Sequence, residues 1–150
     1  MRVTTLAIDC HPEAVRLVRL SRRYGQVSLD GFAQAALPPD AAPAALAGLA
    51  RQLVADNGLA ADRIVLGLSG AAAVVRRLRF PFSSRQKIAM VLGPAIEPHL
   101  TVPLDDIALA WTTTALEASP GTIVLAAAYP RAGLLEFVAA FREQGLAPLA

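Results

Sequence analysis

The first side chain that could do chemistry is Asp9, which ends the apolar run over residues 3–9. A carboxylate at the end of a buried strand can organise a metal ion or the water that attacks a phosphate. Such a site also needs free backbone N–H groups in the next loop, and therefore small, flexible residues. The loop here is Cys10-His11-Pro12-Glu13, in which the proline has no N–H and the glutamate repels a phosphate. A structural role for Asp9 is therefore favoured.

Cys10 and His11 place a thiol beside an imidazole. Neighbouring residues on a strand point to opposite faces, so this pair is badly placed to share a proton. We therefore expect Cys10 to be a small core residue. The only other histidine is His99, and no Cys/His spacing typical of a zinc site occurs. The sequence predicts no metal site.

Two further motifs suggest catalysis but fail on spacing or context. Ser69 lies in Gly-Leu-Ser-Gly-Ala, whose spacing differs from that of a nucleophile elbow and which precedes a predicted strand instead of a helix. Asp105 and Asp106 are paired carboxylates, but they follow Pro103 at a strand entry, where acidic turn residues are common. No Walker lysine loop and no Gly-x-Gly-x-x-Gly motif is present. The sequence predicts no catalytic residue and no enzyme.

A basic stretch, Arg-Arg-Leu-Arg-Phe-Pro-Phe-Ser-Ser-Arg, begins at Arg76. Arg77 and Arg79 share one face of its predicted strand, and Phe82 and Arg85 follow. A net charge of +2 and an aromatic content of 5% argue against nucleic acid as the partner. We expect a solvated strand face or a docking edge for an acidic protein segment. The single tryptophan is expected to pack in the core.

The composition limits the class of protein. A chain of 150 residues with 55% hydrophobic residues is long and apolar enough for one domain or two small lobes. One cysteine excludes an internal disulfide and favours a reducing compartment. Neither a signal-peptide pattern nor a spanning helix is present, so we expect these residues to be soluble and cytoplasmic.

The first half of the chain predicts the element order βββαβ. Strands are expected over residues 3–9, 14–22 and 26–37, the last two joined by a turn at Tyr24-Gly25. A helix then begins after Asp40, its expected N-cap, and ends at Asn57-Gly58, which Leu59 closes. The next strand is expected over residues 63–70.

The second half predicts βαββα. A strand over residues 73–82 precedes a helix that begins with Ser83 and Gln86 in capping-box spacing and must kink or break at Pro94. A pair of strands follows, joined across residues 118–121. The last helix ends at Gly145. Its inward side chains are expected to be Leu134, Leu135, Val138 and Phe141.

The stretch over residues 76–111 resembles a family of actin-like assembly proteins that includes PilM of type IV pili and the cytoplasmic part of GspL of type II secretion. The matching pieces are Phe80-Pro81-Phe82, Ser83–Lys87, Glu97-Pro98, Pro103-Leu104-Asp105-Asp106 and Val124–Pro148. The resemblance implies an α/β (α+β) chain with an actin-like, ribonuclease H-like fold. Residues 1–72 would be an incomplete ribonuclease H-like lobe, residues 73–146 an inserted βαββα subdomain, and residues 147–150 the start of a return strand.

The resemblance also bears on nucleotide binding. In nucleotide-binding members, the segment after the first aspartate resembles Gly-Ser-Ser-Ser-(Val)-Lys. Only Asp9 matches here, because Cys10, His11, Pro12, Glu13 and Arg16 replace the rest. Phosphate-binding roles therefore do not carry over, and we expect no cofactor.

This departure favours a GspL-like, non-catalytic scaffold at the cytoplasmic face of the bacterial inner membrane. The resemblance implies docking to a GspE-like secretion ATPase and a GspM-like inner-membrane protein, with a membrane segment beyond residue 150. We expect Arg77, Arg79, Phe82 and Arg85 to contact protein partners. Two alternatives remain: a PilM-like ATP-binding adaptor that grips a peptide of a pilus membrane protein, and an actin-fold ATPase or kinase whose second half is absent from these residues.

Overall fold

The structure is a computed structural model that describes residues 2–38, 40–114 and 121–149. The chain forms two compact units. The first comprises Met1–Ser69 and Leu135–Ala150, and the second comprises Gly70–Leu134. The sequence predicted a boundary near residue 72 and assigned everything up to residue 146 to the second part. In the structure, the contacts of Leu135 and the residues after it assign them to the first unit.

The first unit contains a four-stranded sheet. Its strands are β1 (Val3–His11), β2 (Ala14–Arg23), β3 (Gln26–Ala36) and β4 (Arg63–Gly67), and the order across the sheet is β3-β2-β1-β4. β1 pairs antiparallel with β2 and parallel with β4, and helix α1 (Pro43–Asp56) connects β3 to β4. The predicted order βββαβ is therefore confirmed for this unit.

Buried and exposed side chains alternate along β1, and the buried ones form part of the core of the first unit. In β1, Leu6, Ile8 and Cys10 are buried, whereas Ala7 and Asp9 between them are exposed. This period of two is the pattern of a strand with one face on a core. The buried side chains contributed by the other elements are Val15, Leu17, Ala47, Ala50, Val54, Leu59, Phe137, Phe141 and Leu146.

The start of α1 differs from the prediction. The N-cap residue is Ala42, which makes no side-chain cap, and Pro43 occupies the first turn. Asp40 lies two residues earlier with a positive φ of 59°, so it forms part of the preceding turn. The predicted stop is confirmed: Gly58 has a φ of 63°, and buried Leu59 donates its N–H to the carbonyl of Val54.

The second unit contains a three-stranded antiparallel sheet. Its strands are β5 (Val74–Phe80), β6 (Ile107–Thr114) and β7 (Thr122–Pro130), in the order β5-β7-β6, and helix α2 (Arg85–Ile96) follows β5. Short 3-10 segments cover Gly70–Ala72, Glu97–His99 and Leu104–Asp106. The predicted connection between β6 and β7 lies largely outside the described residues. Ile88, Leu92 and Ile96 of α2 pack with Val124, Ala126 and Ala128 of β7 in the core.

The predicted N-cap of α2 was wrong, and the helix does not break at Pro94. The N-cap is Ser84, whose hydroxyl accepts the N–H of Lys87 at 3.4 Å, so Ser83 and Gln86 form no capping box. Pro94 removes one helical hydrogen bond but neither breaks nor ends the helix, which continues to Ile96. The proline lies in the last turn, where little of the helix depends on the missing donor.

Helix α3 (Arg131–Glu143) buries Phe141, as predicted, together with Phe137, which the prediction did not include. Phe137 and Phe141 are its buried residues, with ring centroids 4.9 Å apart. Leu135, expected to point inward, is 62% exposed. The predicted stop at Gly145 is confirmed by its φ of 71° and by the bond from the Leu146 N–H to the Phe141 carbonyl.

The segment after α3 runs beside β4. The N–H of Leu149 donates to the carbonyl of Ile64 at 3.0 Å, although residues 147–149 are not a strand. This contact lies on the edge of β4 that is not paired with β1. Within the described residues, no helix has the length and hydropathy that crossing a membrane requires.

Candidate functional site

The first candidate site is the turn between β1 and β2. The sequence predicted that β1 ends at Asp9, but the strand continues for two more residues, to His11. His11 pairs with Ala14, so only Pro12 and Glu13 lie between the strands. The segment expected to be a loop is therefore mostly strand.

This tight turn has little to offer a phosphate. Pro12 has no N–H, and the N–H of Glu13 donates to Nδ1 of His11 at 3.3 Å. The carbonyl of Glu13 accepts the N–H of Leu37 at 2.8 Å, which ties the turn to the end of β3. Neither Pro12 nor Glu13 has a positive φ, so the two do not form the concave nest of successive N–H groups that binds anions.

The carboxylate of Asp9 forms an ion pair with a residue on the neighbouring strand. It lies opposite Arg16 in the β1–β2 ladder, and its Oδ2 is 3.0 Å from Nη1 of that arginine. Both side chains are about half exposed, so the pair contributes little to stability. The described residues include no group of three or more His, Cys, Asp and Glu side chains arranged to hold a metal ion. Asp9 is thus a mid-strand residue paired across the sheet, and the prediction that it ends the strand was wrong.

Cys10 faces the core, as expected. Its side chain is buried, and burial together with the charge of Asp9 raises the pKa of the thiol to about 12. A thiol with that pKa is protonated at neutral pH and is a poor nucleophile. His11, the next residue, is exposed on the opposite face, so no thiolate–imidazole pair forms.

The remaining catalytic candidates are dispersed. Ser69 lies immediately before the first 3-10 segment, and His99 lies at the end of the second. Asp105 and Asp106 are exposed in the third, directly before β6, which agrees with the expected turn role. The structure brings none of these side chains next to Asp9 in the ladder contacts of β1.

The second candidate site is the face of the second sheet opposite α2. Arg77 and Arg79 are exposed on β5, and their partners across the ladder are Leu125 and Ile123 of β7. Val75 and Leu125 are exposed on the same face. We call Val75, Arg77, Arg79 and Leu125 the Arg77 face. β5 is an edge strand, so one side of its backbone is not paired within the sheet.

Phe82 and Arg85, also predicted as partner contacts, do not lie on the Arg77 face. Phe82 stacks on Phe80 with ring centroids 5.7 Å apart and packs against the core. The Arg85 guanidinium lies 4.4 Å from the centroid of the Trp111 ring, and Trp111 is half-buried on the helix side of the sheet. A cation over an aromatic face is a stabilising contact. Both residues therefore have structural partners that the spacing did not reveal.

Sequence reasoning missed two carboxylates that organise the first unit. Oδ2 of Asp62 accepts both the N–H and the hydroxyl of Thr4 at 2.8 Å, and these hydrogen bonds lower the pKa of Asp62. Asp30 accepts from Ser21 at 2.8 Å and from Arg2 at 2.7 Å, which lowers its pKa as well. These partners lie 58, 9 and 28 residues apart in sequence, so no local spacing could indicate them.

Comparison with known proteins identifies solved structures that are similar to this chain. No protein-family model matches the sequence, and no curated protein matches it either. A solved structure of the PilM-PilN type IV pilus biogenesis complex matches with a TM-score of 0.80 and 26% sequence identity, covering 97% of this chain and 46% of that chain. The cytoplasmic domain of EpsL, an inner-membrane component of the type II secretion system of Vibrio cholerae, matches with a TM-score of 0.61 and 12% identity, covering 99% of this chain and 56% of that chain.

These two structures come from the two systems in which the family indicated by the sequence occurs, so the resemblance is confirmed. The chain is a mixed α and β protein with the fold found in both neighbours. It spans about half the length of each of the two chains.

Proposed function

We propose that this chain is a non-catalytic docking domain in an assembly platform of the type II secretion or type IV pilus kind. The proposal rests on the absence of free backbone donors at Pro12 and Glu13, in the turn between β1 and β2, on a fold similar to that of PilM. At the turn where nucleotide-binding members of the family would hold phosphate, Pro12 lacks an N–H and the N–H of Glu13 is already bonded. A fold kept without its phosphate contacts is suited to binding proteins.

In this proposal, the first unit is the ribonuclease H-like lobe and the second is the inserted subdomain of an actin-like architecture. The likeness to EpsL supports a position at the cytoplasmic face of the inner membrane, because EpsL is described as an inner-membrane component. The partners would be a GspE-like ATPase and a GspM-like membrane protein. The PilM-PilN complex supports protein partners in general.

The Arg77 face is the contact surface that we favour. It combines two arginines with two exposed apolar side chains on an edge strand. An edge strand accepts an extended peptide through its backbone, and alternate side chains then set the specificity. The two positive charges favour an acidic segment.

A second candidate is a PilM-like adaptor that binds ATP. The specific observation in its favour is that the PilM match has both the higher TM-score and the higher identity of the two neighbours. Isothermal titration calorimetry with magnesium and ATP separates it from the first candidate, which binds no ATP.

The docking proposal is tested by measuring binding between the natural protein and its own organism's GspE-like and GspM-like proteins. We expect Arg77→Glu combined with Arg79→Glu to weaken at least one complex about tenfold or more, because a charge attraction becomes a repulsion. Arg51→Glu, a reversal at an exposed position of α1, is the matched control and should leave both affinities unchanged. Equal affinities for the double variant and the unmodified protein would refute the role of the Arg77 face.

A further inference from the structure

The hairpin formed by β2 and β3 changes register once along its length. Up to Arg19, which lies opposite Gly31, the strands pair in one register. From Leu20 onwards, which lies opposite Leu29, the pairing is shifted by one residue. Asp30 therefore has no partner in the ladder. An extra, unpaired residue of this kind is a β-bulge, which re-aims side chains and alters the faces on which the following residues lie.

The turn of the hairpin requires the shifted register. Arg23 pairs with Gln26, and the two residues between them, Tyr24 and Gly25, have φ values of 49° and 83°. A two-residue loop with two positive φ values is typical of the type I′ turn, whose twist matches that of the strands it joins. Without the shift, Arg23 would pair with Val27, and the loop would be one residue longer than this turn allows.

The core requires the other register. Ala33 packs against the core of the first unit, and a Cβ at Gly31 would lie 2.9 Å from Cδ2 of buried Leu59, so both positions face inwards. Continued without a bulge, the alternation of the strand would turn Leu29 and Val27 inwards as well. In the structure both face outwards. Residues 26–29 therefore have two competing registers, one favoured by the turn and one by the apolar pattern.

The carboxylate of Asp30 makes its contacts in the observed register. Its Oδ1 accepts the hydroxyl of Ser21 at 2.8 Å, and Ser21 is buried on the face of β2 that forms the core. Its Oδ2 accepts from Nη2 of Arg2 at 2.7 Å and lies 3.9 Å from Nε of Arg19. The Asp30 side chain is only 14% exposed. In a continuous ladder Asp30 would lie opposite Leu20 and face outwards, and its contact with Ser21 would be lost.

We propose that Asp30 sets the register of the hairpin, because its carboxylate holds residues 26–29 in the observed one of two registers. When the carboxylate is removed, these residues move by one position: Leu29 and Val27 turn towards the core, and Ser28 turns outwards. One side chain thereby decides which residues this end of the sheet presents on each face. The inference goes beyond the proposed function. The pairings and contacts that carry it lie within the first unit, so it holds whether or not another segment or protein covers the sheet.

Disulfide trapping in the natural protein that carries this chain distinguishes the two registers. Arg22 lies opposite Val27 in the observed register and would lie opposite Ser28 in the other. Two variants are compared: Arg22→Cys with Val27→Cys, called the first pair, and Arg22→Cys with Ser28→Cys, called the second pair. A disulfide requires Cβ atoms about 4 Å apart, which side chains on opposite faces of a sheet do not reach. Mass spectrometry during mild oxidation should therefore show the first pair closing at least about tenfold faster than the second.

Asp30→Ala should reverse this order, so that the second pair closes faster than the first. Asp62→Ala is the matched control, because Asp62 also accepts hydrogen bonds within the first unit, but from Thr4 of β1. It should destabilise the protein without changing the order. An unchanged order in Asp30→Ala, or the same reversal in Asp62→Ala, would overturn the proposal.

Deletion of Asp30 provides a second test, which does not depend on whether Asp30→Ala folds. Circular dichroism establishes whether each variant is folded. Without the extra residue, the ladder can run continuously from the core to the turn, so the deletion variant should fold and keep the first pair as the faster one. A deletion variant that does not fold, or in which the second pair closes faster, would show that Asp30 is not the residue that reconciles the two registers.

Discussion

The backbone N–H of Glu13 donates to Nδ1 of His11 at 3.3 Å, across the turn that joins β1 to β2. This contact and the missing N–H of Pro12 leave the two turn residues without a free backbone donor. A turn that binds phosphate does so with several such donors. This turn therefore lacks the backbone donors that phosphate binding requires, on a chain whose fold is similar to that of the PilM-PilN structure.

Phe141→Ala should lower the free energy of unfolding by about 3–5 kcal/mol. Phe141 is fully buried and its ring packs against the tilted ring of Phe137 in the core of the first unit, so its removal leaves a cavity. Leu135→Ala, on the exposed face of the same helix, should change that free energy by no more than about 0.5 kcal/mol. Urea unfolding measures both. Similar losses for the two variants would contradict the helix orientation.

Gly121→Ala should destabilise the protein by more than about 1 kcal/mol. Gly121 has a φ of 108°, and a Cβ there would collide with the carbonyl oxygen of Phe80. Gly48→Ala is the matched control: Gly48 lies inside α1 with open space around it, so alanine should stabilise by about 0.5–1 kcal/mol. Thermal unfolding measures both the expected loss of stability in Gly121→Ala and the expected gain in Gly48→Ala. An unchanged stability of Gly121→Ala would show that the backbone of Gly121 does not lie this close to the carbonyl oxygen of Phe80.

Cys10 should resist alkylation in the folded protein. With a pKa of about 12, the thiolate fraction at pH 8 is about one part in ten thousand, and burial blocks access as well. Mass spectrometry after iodoacetamide treatment should find Cys10 unmodified until urea unfolds the chain. Because the folded pKa lies above the unfolded value of 9.0, the associated stability is present below pH 9 and is lost as the pH rises towards about 12. Rapid alkylation of the native chain would contradict this.

Acid should destabilise the first unit through Asp30 and Asp62. Hydrogen bonds from Ser21 to Asp30 and from Thr4 to Asp62 are the main causes that lower their pKa values in the folded state. The stability from each carboxylate is therefore present above its unfolded pKa near 3.8 and is lost as the pH falls through its folded pKa.

Urea unfolding between about pH 3 and pH 7 measures this loss of stability. Asp62→Asn should lower stability at neutral pH and flatten the acid branch of the curve. Asp56→Asn, at the exposed end of α1, should leave that branch unchanged. If the free energy of unfolding of Asp62→Asn fell at low pH as steeply as that of the unmodified protein, the hydrogen bonds from Thr4 would not be the cause of the acid destabilisation.

The order of elements was predictable because it depends on local patterns. Alternation in β1 and the Asn57-Gly58 stop of α1 act over a few residues, and both appear in the structure as expected. The capping serine was displaced by one position because Ser83 and Ser84 are chemically equivalent, and only the backbone decides which hydroxyl reaches Lys87. Leu135 and Phe137 both suit an inward position on α3, and only the packing of the first unit selects Phe137.

The candidate sites were predictable in residue type but not in arrangement. The proline and glutamate of the first turn could be read directly, whereas the extension of β1 to His11 depends on pairing with β2. Arg77 and Arg79 share a face because they are two residues apart on one strand. The position of Arg85 over Trp111 joins residues 26 positions apart, a contact that requires the folded sheet and helix.

The most direct test of the central claim is isothermal titration of ATP with magnesium into the natural protein that carries this chain. We predict no binding at ATP concentrations up to about 1 mM, because the first turn gives the phosphates no donors. Saturable binding with a dissociation constant below about 100 µM that Asp9→Ala abolishes would contradict the account and favour the ATP-binding adaptor.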